Sequence, residues 1–102
     1  MILYRPVGQK ELDLIIESGM KEFPPRLPEQ PIFYPVLNEN YARRVGAWNT
    51  EGFIVKFELD ADYANKWEIH CVGDKECLEL WIPAEELEEF NQNIIGKIEL
   101  MI

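Results

Sequence analysis

Few side chains in this chain are of the types that do chemistry, so each can be weighed singly. Arg5 sits in an extended segment between Tyr4 and Pro6, where a guanidinium can grip a carboxylate or phosphate with two parallel hydrogen bonds; its equal alternative is a structural salt bridge. Glu79 lies in Leu78-Glu79-Leu80-Trp81-Ile82, sharing a strand face with Cys77 and Trp81 while Leu78, Leu80 and Ile82 take the other. A carboxylate among apolar strand neighbours needs a partner or a raised pKa, which flags a site; its plainer reading is a solvent-facing residue. Phe33 and Tyr34 form an aromatic pair that is either a stacking platform or core, and strand alternation sends one of them outward. Trp48-Asn49 offers a further stacking ring beside an amide.

Other chemistries are poorly supplied. His70 is the only histidine, so the common nucleophilic triads cannot be built, and it reads as a partly exposed strand residue. There is no glycine-rich phosphate loop and no nucleophile elbow. Cys71 and Cys77 do not have zinc-ligand spacing, and no metal site is expected. They flank Val72-Gly73-Asp74-Lys75-Glu76, a hairpin turn. A loop over residues 73–75 would set them directly opposite one another, within reach of a disulfide, whereas a reducing compartment would keep both thiols free.

The elements that must position these groups follow from hydrophobic period and from punctuation by proline and glycine. Ile2 to Val7 reads as a strand, and Gln9 to Ser18 as a helix with Leu12, Ile15 and Ile16 at helical spacing and Gly19 as its stop. Phe23 to Pro35 holds five of the seven prolines, interleaved with aromatics. Proline excludes a helix there and an uninterrupted central strand, so a rigid packed loop should run into a short strand, Ile32-Phe33-Tyr34, at a sheet edge or strand end. Asn38 caps a helix from Glu39 to about Ala47 that buries Tyr41, Ala42 and Val45. Phe53, Val55, Phe57 and Leu59 alternate with Ile54, Lys56 and Glu58 as in a half-buried strand. A single turn at 60–64 precedes a hairpin of Trp67 to Val72 and Lys75 to Ile82. Pro83 opens a helix with Leu87 and Phe90 inward, Gly96 breaks the next segment, and Lys97 to Ile102 forms the last strand. The order is β-α-β-α-β-β-β-α-β, an α+β fold with a mixed or mostly antiparallel sheet in one domain of 102 residues.

Charge divides the chain. Residues 1–50 carry six basic and six acidic side chains, whereas residues 51–102 carry four basic and thirteen acidic ones and so the whole net charge of −9. An acidic half repels phosphate backbones, so nucleic acid is not an expected partner; a basic protein is, beside the plainer reading of a solubilising surface. No apolar run reaches the roughly 20 residues of a membrane helix, and no basic, apolar leader opens the chain, so membrane attachment is not expected and the cytoplasm is.

Three blocks of sequence carry a resemblance. They are Leu3-Tyr4-Arg5-Pro6-Val7-Gly8 with the Glu11-Leu12…Ser18-Gly19 helix, the run Phe23-Pro24-Pro25-Arg26 through Val36-Leu37-Asn38, and Trp81-Ile82-Pro83-Ala84-Glu85-Glu86-Leu87 with Phe90-Asn91. Together they resemble small bacterial proteins that often carry the label "ADP-ribosylation/crystallin J1". The crystallin half of that label implies a large, all-helical, magnesium-binding hydrolase, which a short strand-rich chain without an aspartate cluster does not fit. The other half implies a minimal ADP-ribosyltransferase-like domain that binds NAD or a related nucleotide. On that resemblance Arg5 would anchor the cofactor, Tyr34 would stack on nicotinamide and Glu79 would assist bond cleavage. Tyr4, Arg26, Phe33, Asn38 and Trp48 would line the cofactor. The competing expectation is a non-catalytic acidic binding module of the immunity, antitoxin or inhibitor type. It would meet a basic protein through its acidic half and aromatic anchors of the proline-rich loop.

Overall fold

The computed structural model describes residues 1–49 and 52–101, and the backbone alone for 48 and 49. The chain runs β1 (Ile2–Val7), α1 (Gln9–Glu17), β2 (Ile32–Phe33), α2 (Glu39–Asn49), β3 (Phe53–Leu59) and α3 (Ala61–Ala64). It continues through β4 (Ile69–Cys71), β5 (Leu78–Leu80), β6 (Ile82–Pro83), a 3₁₀ turn (Ala84–Glu86), α4 (Leu87–Gln92) and β7 (Ile94–Met101). All strand pairs are antiparallel, and the fold is α+β as the element order requires.

The long strands form a sheet in the order β1-β3-β7. The β4–β5 hairpin joins it through Val36, which bridges Tyr4 on one side and Glu79 on the other. Tyr4 and Val36 exchange both backbone hydrogen bonds (2.8 and 2.9 Å). Leu37 donates to the Leu78 carbonyl and Leu80 to the Pro35 carbonyl, each at 3.0 Å. The Val36–Glu79 bridge keeps the register of Ile32↔Pro83 and Phe33↔Ile82. Residues 32–37 therefore make one extended path, interrupted where Pro35 has no N–H to give. The expected edge position holds for β2, which among the described residues pairs only with β6, whereas at Val36, beyond the expected strand, the path is paired on both sides.

Two layers of helix cover the two faces. Leu12 and Ile15 of α1 and Leu87 and Phe90 of α4 join Leu3, Val7, Phe23, Phe33, Val55, Phe57, Leu80 and Ile82 in the main core. Phe23 packs on Phe33 and Phe57 with ring centroids 4.9 Å apart in each case, a tilted arrangement that suits aromatic quadrupoles. On the opposite face Ala42 of α2 packs with Val36 and Ile54. Ile54 was expected to alternate outward; α2 buries it, because a central strand has both faces covered.

Two turn expectations also change. Gly96, read as a strand breaker, lies inside β7 at φ 71°, where the β3–β7 register shifts. A glycine there absorbs the positive φ that a β-bulge demands. In the hairpin Cys71 pairs with Leu78, and Val72 donates to the Cys77 carbonyl at 3.0 Å. The turn is thus longer than expected, the two cysteines are not opposite each other, and both are free.

Candidate functional site

Register decides which side chains meet. Tyr4, Val36, Glu79 and His70 stand opposite one another across adjacent strands, so they share a face. That face is the one covered in part by α2. Asn38 caps this helix by accepting the Tyr41 N–H at 3.0 Å, which fixes its first turn above Glu79. Tyr41 then donates its hydroxyl to Glu79 Oε2 at 2.7 Å, and Trp81 donates its indole N–H to Oε1 at 2.8 Å. Each oxygen of the carboxylate is held by one neutral donor. Among the described residues no cation lies within ion-pair distance of it.

Aromatic rings surround this carboxylate. His70 lies flat on Trp81, ring centroids 3.7 Å apart and planes 2° from parallel. Tyr34 meets Trp81 edge-on at 6.4 Å. Tyr34 and Trp81 are 42% and 40% exposed, large apolar surfaces left in water. Between α2 and the strands lies a hollow of about 330 Å³, lined by Arg5, Pro6, Tyr34, Val36, Tyr41, Val45 and Glu79. The phenol of Tyr41 is pushed above its usual value, first by desolvation, then by its hydrogen bond to Glu79 and by the charge of that carboxylate. It therefore remains a donor through the physiological range.

The three residues expected to act together all line this hollow, but from two faces of the sheet. Tyr34 and Glu79 belong to this face. Arg5 lies between Leu3 and Val7 and opposite Val55, all in the main core, so its side chain leaves β1 on the other face. Its guanidinium sits 4.6 Å from the centre of the Phe33 ring and grips Glu11 of α1, with Nε to Oε2 at 2.7 Å and NH2 to Oε1 at 3.0 Å. Arg5 contributes to the wall of the hollow while its charge is neutralised on the α1 side. Arg5, Tyr34 and Glu79 therefore border one hollow, but the Arg5 guanidinium is held by Glu11 rather than directed at Glu79.

The remaining candidates also take structural places. Phe33 is 1% exposed and packs in the core, where a ligand has no access to its ring. Arg26 lies over the same ring at 5.7 Å and donates to the Ile32 carbonyl, pinning the proline-rich loop. Burial, and then the neighbouring Arg5, lower its pKa. Tyr4 packs beside Val36, Ala42 and Ile54. Asn38 serves as the helix cap, and the side chain of Trp48 lies outside the described residues. The sequence flagged Glu79 and Tyr34 but not their partners. Trp81 could have been added from its place two residues along the same strand face, whereas Tyr41 enters only through the packing of α2.

Among the described residues no group of three His, Cys, Asp or Glu side chains is arranged to hold a metal ion, and no helix is long and apolar enough to cross a membrane. No protein-family model, no curated protein and no solved structure matches the chain.

Proposed function

We propose that this chain is a non-catalytic binding module whose partner is a basic protein, docked on the face that carries Tyr34, Tyr41, His70, Glu79 and Trp81. The observation that carries this reading is a carboxylate ringed by aromatic side chains and held by neutral donors. Such a group offers oriented acceptors while its aromatic surroundings shed water easily, which is the make-up of an interface hot spot. The net charge of −9 supplies long-range attraction for a basic partner and raises the encounter rate.

A nucleotide fits this face less well. The phosphates of NAD need cations, and the arginine expected to supply one is spent on Glu11 across the sheet. The Glu79 carboxylate in the same hollow opposes a polyanion.

Capture on the immobilised chain tests the reading, with wild type, Trp81→Ala and Glu79→Gln compared at low and high salt. The expected result is a basic protein retained by wild type at low salt, released at high salt and lost from both variants. Melting curves with millimolar NAD run in parallel. A clear NAD-dependent rise in melting temperature would contradict the proposal and restore the nucleotide reading, because a ligand stabilises the fold by mass action. Equal retention by wild type and both variants would contradict it as well.

A further inference from the structure

We infer that the hollow beside Glu79 receives one arginine side chain of the partner, in preference to lysine. The inference rests on the reading of this face as a partner surface and adds the identity of the group it recognises.

The acceptor geometry comes first. An ionised carboxylate offers about four lone-pair positions. Tyr41 takes one on Oε2 and Trp81 takes one on Oε1, so a lone-pair position remains on each oxygen. Two free acceptors on one carboxylate match the paired N–H groups of a guanidinium, and a single ammonium cannot use both equally well. The two donors also fix the plane of the carboxylate, which lowers the cost of ordering it on binding.

The walls favour the same group. Pro6, Val36 and Val45 give the hollow an apolar lining along which a methylene stem can lie. The rings of Tyr34 and Tyr41 also line it, and a guanidinium, weakly hydrated and planar, stacks on such rings. A lysine ammonium would surrender strong hydration against these walls.

Among the described residues no cation of the chain is paired with Glu79. Arg5 is paired with Glu11 at 2.7 Å. Arg44 reaches over the Tyr41 ring at 5.8 Å, but its guanidinium is drawn to Asp74 and Glu76 at 3.7 and 3.5 Å. The charge of Glu79 is thus left for a partner.

The test uses the whole chain labelled with ¹⁵N and three probes: N-acetyl-arginine methylamide and its lysine and citrulline counterparts. The indole N–H of Trp81, identified by its loss in Trp81→Phe, reports on Glu79 directly. The arginine probe should shift this resonance saturably and bind about tenfold more tightly than lysine, while the neutral citrulline probe should leave it in place. Glu79→Gln should weaken the arginine probe about tenfold, and so should removal of a wall in Tyr34→Ala, a substitution at an exposed position that leaves the core intact. Equal binding of arginine and lysine, or arginine binding unchanged in both variants, overturns the inference. If the arginine probe has no effect while capture still depends on Trp81, the arginine assignment falls and the partner surface stands. If capture is lost as well, both fall.

Discussion

Glu79 shows how much a residue's meaning depends on what points at it. Its flag in the sequence was a carboxylate flanked by Leu78 and Leu80; its meaning in the structure comes from Tyr41 and Trp81, which hold one oxygen each. Trp81 was within reach of sequence reasoning, since residues two apart in a strand share a face. Tyr41 was not, because 38 residues separate it from Glu79 and only the docking of α2 brings them together. Arg5 took the plainer of its two readings, a structural ion pair. Its residue type suited an anion, but alternation with Leu3 and Val7 had already committed it to the core face, where Glu11 neutralises it. Tyr41 carries a pH signature, set first by its desolvation and then by its bond to Glu79. The folded-state pKa of Tyr41 is raised, so its contribution to stability is complete below about 10, the value of an unfolded tyrosine, and is lost as pH rises from there through the folded value. Tyr63 is raised too, mainly by burial. In an alkaline titration followed by tyrosinate absorbance, late-ionising tyrosines should therefore be seen, and Tyr41→Phe should remove one of them. A titration with the same late steps in Tyr41→Phe would contradict this assignment.

At the scale of elements, hydrophobic period was a good guide wherever it ran for more than a few residues. The alternation in β3 reported a real buried face, and so did Leu12 and Ile15 in α1, though Ile16 at the same spacing is exposed; burial of one stripe is what selects for such patterns. Short segments were less legible. The strand expected at 32–34 is an edge as its prolines suggested, but the pairing beyond it was hidden: Val36 exchanges hydrogen bonds with Tyr4 while Pro35 sacrifices a single donor. Gly96 looked like a break, yet a bulge accommodates it within β7. Long-range clamps were invisible, and the proline-rich loop depends on one. Asn91 accepts the Phe23 N–H at 2.9 Å and donates to the Phe23 carbonyl at 3.0 Å, satisfying both backbone groups from 68 residues away. Phe23 is 1% exposed, so water cannot replace these bonds freely. Asn91→Ala should cost about 2 kcal/mol in denaturant unfolding, since two partly buried backbone groups lose their partner. A cost within a few tenths of a kcal/mol would show that the loop is held by its aromatics alone.

The whole molecule has a Cα radius of gyration of 12.6 Å, close to the roughly 13 Å of a compact domain of this length. Its charge is less evenly placed than its mass. Glu85, Glu86, Glu88 and Glu89 lie on the 3₁₀ turn and α4, the element that packs Leu87 and Phe90 into the main core, and Lys66 comes within 3.9 and 3.5 Å of Glu86 and Glu89. These acids are on the α1 side of the sheet, away from Glu79. They contribute to the field that draws a basic partner in, whereas the aromatic face around Glu79 decides where it stops. The most direct test of this division places a photoreactive benzoylphenylalanine at Tyr34 in one sample and at Ile95, exposed on β7 at the far edge of the sheet, in another. With the captured partner bound, cross-links should form from position 34, map next to an arginine of that partner, and be absent from position 95. Cross-linking from Ile95 as strong as from Tyr34, or none from Tyr34 with the partner bound, would contradict the account.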